Sequence, residues 1–342
     1  MTIKQYIISF AAAALTAVLL TGCSGSDGDD LTPTNNNQKK EIAVSTNVTG
    51  MQTRATTYDN TAALQSEGDV LIDAYFHGTN TKYINGTKLH YNSSSWIFWD
   101  GSAQLHYYWP VEGSIYDPSS ANITVSSLDF VGYCPYSTPS YITTGPTYDY
   151  STGNITFTAT MPTTVIDETS CMTLASQASM KEFMCAKAAA QTYTTQTAAG
   201  GAVPLQFKHP FALVKFVITS ASGTHVKINN ISISDLKTGG TCTFNGSTMS
   251  WASLSGSAPM KIVQELKIGA TTETTPFLVI PNDYGTKYLT VNATWDDWSD
   301  VTISDYGTNV EFEWEPGHLY VYNLTLNKYG LKVDVQKYTE QW

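Results

Sequence analysis

The sequence predicts an all-β protein built of two tandem antiparallel β-sandwich domains, and three observations predict it. Short runs rich in Thr, Tyr, Val, Ile and Trp alternate with clusters of Gly, Asn, Asp and Pro, the pattern of half-buried strands joined by turns. The clearest runs are Asn122 to Ser126, Asn154 to Ala159, Phe211 to Thr219, Val226 to Ile233, Pro276 to Ile280, Tyr288 to Trp295, Leu319 to Leu326 and Leu331 to Val335. No long apolar stripe of helical period interrupts them. Met172 to Gln191 is rich in Ala, Met, Lys and Gln, but its apolar spacing is irregular, so it reads as a loop with one short helix. The third observation is a break. Tyr193 to Pro204 is a Thr, Gln, Ala and Gly stretch around Gly200-Gly201, and a strong strand follows it. The body therefore divides into domains 41–200 and 201–342.

The amino terminus carries the most specific motif. Lys4 precedes an almost unbroken apolar stretch, Tyr6 to Leu20. It is too short to span a bilayer as a helix and has the length of a signal-peptide core. It ends in Leu20-Thr21-Gly22-Cys23, the lipobox pattern of bacterial lipoproteins. Small residues let the backbone enter a peptidase, and the Cys23 sulfur takes a diacylglycerol. Residues 1–22 thus read as a lipoprotein signal peptide, and lipid on Cys23 holds the precursor on the outer membrane. Each buried methylene adds roughly 0.8 kcal/mol, so several acyl chains make a lasting anchor. Residues 23–40 read as a flexible tether, since Leu31 is their only large aliphatic residue. Asp27, Asp29 and Asp30 resemble the acidic surface-export tags of lipoproteins from anaerobic Gram-negative bacteria.

Composition excludes other classes. The formal net charge is -11, and loss of Lys4 with the leader makes it -12. Nucleic-acid binding needs basic surface, so no nucleic-acid partner is expected. Cys134, Cys171, Cys185 and Cys242 match no zinc spacing. They read as small buried hydrophobes, with disulfide pairing left open. No G-x-S-x-G, H-E-x-x-H or phosphate-binding glycine loop occurs. His209, within Phe207-Lys208-His209-Pro210-Phe211, reads as a packed structural histidine. The acidic knot Asp296-Asp297-Trp298-Ser299-Asp300 has carboxylates of the kind that bind calcium, but it stands between two strands and reads as a hairpin turn. No catalytic residue, metal or cofactor is predicted, and the chain is not read as an enzyme.

Two runs near the ends share one pattern. Ile42, Val44, Thr46 and Val48 alternate with small or polar residues directly after the tether. Leu331, Val333 and Val335 alternate with Lys332, Asp334 and Gln336, followed by Tyr338 and the terminal Trp342. Either could lay an apolar row into a groove, because strand side chains alternate with period two. A strand at the end of a chain is free to pair with its own body or with a neighbour's edge. Gly330 can serve the second run as a hinge.

These features together resemble the fimbrillins, the lipoprotein pilins of type V pili, with their anchoring and tip subunits. The resemblance is carried by the lipobox and tether and by the first strand with Thr53-Arg54-Ala55. It continues in Asp129-Phe130-Val131-Gly132-Tyr133-Cys134-Pro135-Tyr136, Lys181-Glu182-Phe183-Met184-Cys185-Ala186, the run Leu205 to Phe216, and Trp314-Glu315-Pro316-Gly317-His318-Leu319-Tyr320-Val321-Tyr322. It implies two transthyretin-like sandwiches and assembly by strand exchange. An arginine-specific protease would cut between Arg54 and Ala55, and Arg54 is the only arginine in the chain. The first strand, residues 41–54 with Ile42, Val44, Thr46 and Val48, would then leave a groove. The tail strand of the next subunit, residues 330–342 with Leu331, Val333, Val335, Tyr338 and Trp342, would fill it. The implied partners are other pilus subunits, the protease, outer-membrane lipid through Cys23 and a host or bacterial surface ligand. The implied location is the cell surface, then the fimbrium after processing. A donor tail suits a stalk subunit, while stalk, tip and anchor roles are not separated by sequence. The alternative is a surface glycan-binding lipoprotein of a polysaccharide-uptake system, which an exposed row of Trp and Tyr would favour.

Overall fold

The computed structural model describes residues 39–48, 61–67, 69–116, 123–178, 180–220, 226–262, 266–268, 271–296, 301–327 and 329–338. Cys23, Arg54, Ala55 and Trp342 lie outside them. The all-β expectation holds: strands dominate, and the described helices are the short segments Thr61–Glu67, Leu174–Gln177 and Tyr193–Ala198.

A six-stranded antiparallel sheet organises the first half. Its order is Met184–Gln191, Leu128–Cys134, Val70–Phe76, Lys82–Tyr91, Trp96–Trp99 and Gln104–Leu105. The strand Leu128–Cys134 is buried along its whole length, which requires cover on both faces. Its alternation shows the two layers. Leu128, Phe130 and Cys134 join one core with Ile42, Val44, Val48, Leu64, Ile72, Leu89, Phe98 and Phe207. Val131 and Tyr133 join the other, with Phe157, Phe183, Phe211 and Cys242.

The first core is closed by a two-stranded parallel sheet of Val44–Val48, called here the first strand, and Val203–Phe207, its partner strand. Gly132 permits this approach. A Cβ there would stand 2.9 Å from Phe207 Cζ and 3.3 Å from Ile72 Cδ1, so any side chain would require the Phe207 ring to shift. The partner strand begins at the end of the stretch read from sequence as a linker, Tyr193 to Pro204, and runs on past it. Val203, Leu205 and Phe207 are buried while Pro204 and Gln206 are exposed, so period-two burial makes it a strand of the first core.

Beyond it the chain forms two five-stranded sheets. Ala212–Ser220 pairs parallel with Leu319–Asn327, and Thr271–Glu273, Phe277–Val279 and Gly330–Tyr338 complete that sheet. Val226–Leu236 pairs with Asp283–Asp296, flanked by Ala258–Ile262, Leu266–Ile268 and Val301–Glu313. Residues 39–342 form one compact unit. A four-stranded sheet spans residue 200, because Asn154–Thr160 of the first half pairs with Gly239–Phe244 of the second. Asp296 pairs with Val301 across the acidic knot, whose residues 297–300 are not among those described.

Several segments that carried the family resemblance become paired strands. Gly132 to Cys134 pair with Met184 to Ala186, and Leu213 to Phe216 pair with Leu319 to Tyr322. His209 is buried between the halves of the sequence, with Nδ1 2.7 Å from Glu182 Oε1. That contact fits the structural role read for it. The buried Asp129 accepts from Tyr148 Oη at 2.8 Å and from the Ala190 N–H at 2.7 Å, and lies 2.9 Å from His77 Nδ1. Asp73 accepts from Lys82 Nζ at 2.8 Å and from the Gly86 N–H at 2.6 Å. Both carboxylates thus satisfy turns and strand ends inside the fold.

Candidate functional site

The two runs singled out by sequence are both strands, and the structure places them in different surroundings. The first strand buries its whole apolar row: Ile42, Val44 and Val48 are core residues, and Thr46 is 7% exposed. The intervening Ser45 is half-buried and Asn47 exposed. It runs parallel to its partner in the register Val44 to Val203 through Val48 to Phe207. Thr46 breaks the apolar row. Its Oγ1 is buried and finds no hydrogen-bond partner among the described residues.

Contacts at the strand's approach hold it on both edges. The Ile42 N–H donates to Tyr107 O, and the Trp109 N–H donates to Lys40 O, both at 2.8 Å. On the opposite edge the Val203 N–H donates to Ala43 O at 2.8 Å. The Ala43 N–H donates to Gln196 Oε1 at 3.1 Å, and Gln196 Nε2 donates to Glu41 O at 3.1 Å. His106 Nδ1 lies 2.6 Å from Glu41 Oε1, and Lys40 Nζ sits 4.4 Å from the centre of the Tyr193 ring. At the far end the Val48 N–H donates to Thr61 Oγ1 at 3.1 Å. Removing this strand would open a trough floored by the first core and edged by main-chain groups of 107–109 and 203–207.

Sequence reasoning missed Gln196, Tyr107 and Trp109. A signal for Gln196 was present. Thr192 and Thr195 form a reciprocal capping box, which starts the helix Tyr193–Ala198 inside a stretch that otherwise reads as linker.

The tail strand, Gly330–Tyr338, is the edge of its own sheet. It pairs antiparallel with Leu319–Asn327 alone, Leu331 opposite Leu326, Val333 opposite Leu324, Val335 opposite Tyr322 and Tyr338 opposite Leu319. Leu331 and Val333 are partly buried against the second core, whereas Val335 is 42% exposed. Lys332, Asp334 and Gln336 face solvent.

Other candidate chemistry resolves into structure. Cys134, Cys171, Cys185 and Cys242 are buried free thiols. Burial pushes the thiols of Cys134 and Cys185 well above their ordinary range, which makes them poor nucleophiles. Among the described residues, no group of three or more His, Cys, Asp or Glu is placed to hold a metal ion. The strongly exposed aromatics among them are Tyr150, Tyr193, Tyr288 and Tyr329, which stand on separate elements rather than in a row.

A family model described as fimbrillin-like matches residues 53–342. A fimbrial protein from Bacteroides vulgatus superposes with a TM-score of 0.57 at 13% identity, over 89% of this chain and 99% of its own. A proposed cell adhesion protein from Bacteroides uniformis gives 0.49 at 18% identity, over 91% and 100% of the two chains. The tip fimbrial protein Mfa3 from Porphyromonas gingivalis, truncated at its C-terminus, gives 0.41 at 9% identity, over 88% and 100%. The first of these speaks to the fold alone. No protein among those with curated descriptions matches the chain.

Proposed function

This chain belongs to the fimbrillin-like family, which makes it a structural adhesion protein of the cell surface rather than an enzyme, and from that premise we propose that it is a pilus subunit assembled by exchange of its first strand. The precursor is exported as a lipoprotein on Cys23, cut after Arg54 and joined to a neighbour whose tail strand enters the vacated trough. On this reading the domains are 41–200 and 201–342; the first core draws on residues 42–207, the second on both halves of the sequence, and the two lie on opposite faces of the strand Leu128–Cys134.

One observation carries the reading. A complete core row, Ile42 to Val48, is supplied by a strand joined to the body by a segment that holds the chain's only arginine. Burying three aliphatic side chains stabilises the fold by about 5–9 kcal/mol at most, so the strand stays in place until its chain is cut. A cut converts the tie into a separable peptide, and the trough it vacates is an unsatisfied apolar surface. The family match begins at residue 53, so the first strand lies outside it, as suits a segment the mature subunit discards.

The test is arginine-specific digestion of the purified full chain. Wild-type protein should release a fragment ending at Arg54 and then form polymers, whereas Arg54→Ala should stay intact and monomeric with an unchanged melting curve. Normal polymers from Arg54→Ala would overturn the proposal.

A further inference from the structure

We infer that Gln196 is a backbone-reading clamp, whose side-chain amide stands in for a missing peptide unit of the partner strand and sets the register of whatever strand lies in the trough. The inference rests on the exchange reading for its biological sense, but its geometry stands alone.

In a parallel ladder, a residue facing position i donates its N–H to the carbonyl of i−1 and accepts from the N–H of i+1. Gln196 does this with its side chain. Nε2 donates to Glu41 O and Oε1 accepts from the Ala43 N–H, both at 3.1 Å. The amide therefore faces Ile42 as a strand residue would. The true partner strand begins at Val203, whose N–H takes Ala43 O. Glu41 O and both main-chain groups of Ala43 are thus satisfied on this edge.

Three features distinguish this from an incidental buried amide. Gln196 is 5% exposed, so it is committed to these partners. Its orientation is dictated, because the Trp109 indole N–H donates to the same Oε1 at 2.9 Å and an indole can only donate. Its main chain is pinned as well. The Gln196 N–H donates to Thr192 O at 3.0 Å, and the Gly201 N–H donates to Gln196 O at 2.9 Å. The glycines that read as a linker therefore hold the clamp in place.

The hydrogen bonds of the clamp to this segment go to main-chain atoms, Glu41 O and the Ala43 N–H. The clamp accepts any extended segment whose residue at the Ala43 position has an N–H, and it rejects proline there, which has none. Because strand side chains alternate, fixing one position also decides which residues of the incoming strand face the core. Residues 327–342 contain no proline, so the tail of a second copy meets the requirement.

Two measurements test this, and they fail independently. In the intact chain, hydrogen exchange at the Ala43 amide should speed up about tenfold in Gln196→Leu, the loss expected of one hydrogen bond, while Val203–Phe207 amides stay protected. Unchanged Ala43 protection would overturn the clamp, whatever becomes of strand exchange. In digested protein, a labelled peptide of residues 40–48 should bind about tenfold tighter than the same peptide N-methylated at Ala43, and Gln196→Leu should erase that difference. An equal N-methyl penalty in both proteins would also overturn the clamp. Failure of digested protein to bind either peptide would count against exchange and leave the hydrogen-exchange result to decide. If the leucine variant does not fold, Gln196→Glu replaces it. Its carboxylate repels Glu41 O, whereas its protonated form donates to it. Peptide affinity of this variant relative to wild type should therefore rise as the pH falls through the carboxylate range, the wild type carrying the effect of the peptide's own Glu41 beside His106. A flat profile would overturn the clamp.

Discussion

The first strand and the tail strand carry the same alternating pattern, yet they are held by different means. The first strand buries its whole row and pairs with Val203–Phe207, while Gln196, Tyr107 and Trp109 bond the residues 40–43 that lead into it. The tail strand hangs on one neighbour, with two half-buried residues and an exposed Val335. Alternation therefore states which side chains share a face; it does not state how much covers that face. Cover decides the energy. At about 1.5–3 kcal/mol for a fully buried aliphatic residue, the first strand contributes several kilocalories and the tail a fraction of that. On the exchange reading this asymmetry is useful. The strand that must wait for proteolysis is expensive to remove, and the strand that must reach a neighbour is cheap to free.

The largest expected effect comes from charging the first strand. Val44→Asp with Val48→Asp places two carboxylates in the first core without partners. A loss of about 5 kcal/mol or more should lower the melting temperature by roughly 10–20 °C, or prevent folding. Thermal melts against wild type check it. A shift no larger than that of the equivalent tail variant would break the comparison, since the two strands would then be equally held.

Charging the tail should give a smaller stability effect and a larger assembly effect. Val333→Asp with Val335→Asp should lower the melting temperature by about 3–6 °C, because Val333 packs against the second core. Val335→Asp alone should move it by less than about 2 °C, since that side chain already meets water. Both variants should lose polymer yield after arginine-specific digestion, because a donor row cannot carry a charge into an apolar trough. Normal polymerisation of Val335→Asp would remove the tail from the donor role. The single variant sharpens the contrast, as it separates the strand's place at home from its use in a neighbour.

The class of fold was legible because it rests on local pattern. Alternating Val, Ile, Tyr and Thr between turn residues requires strands, and runs such as Asn154 to Ala159 and Val226 to Ile233 appear within a few residues of where they were expected. Ile42, Val44, Thr46 and Val48 were legible as one face for the same reason. What the pattern could not convey is pairing at long range. Val203 and Pro204 follow two glycines closely, so the start of the partner strand was read as the end of a linker. Its ladder partner is the first strand, more than 150 residues away in sequence, and its side chains are buried in the first core. The capping threonines signalled the helix that carries Gln196, but the role of its amide was hidden for a related reason. A glutamine is ordinarily a surface residue, and only the arrival of residues 41 and 43 turns its amide into part of a ladder. The tail strand was left between edge strand and donor. The structure shows it at an edge, and whether it also donates in trans belongs to the proposal.

The smallest effect concerns the one polar residue in the first strand's buried row. Thr46 offers a hydroxyl to the apolar core and finds no partner there among the described residues. An unsatisfied buried hydroxyl costs about 1–3 kcal/mol, while valine has nearly the same shape without the polar atom. Thr46→Val should therefore raise the melting temperature by about 2–4 °C. The same change should slow release of the fragment ending at Arg54 by about fivefold once the chain is cut, because the added stability lies in the bound strand. The tail row Leu331, Val333 and Val335 contains no such hydroxyl. A donor strand would thus gain at this position what the resident strand lacks, which gives exchange a downhill direction without any change in the trough. An unchanged or lowered melting temperature would mean that the hydroxyl is satisfied in solution. The preference for a donor would then have to come from elsewhere in the strand.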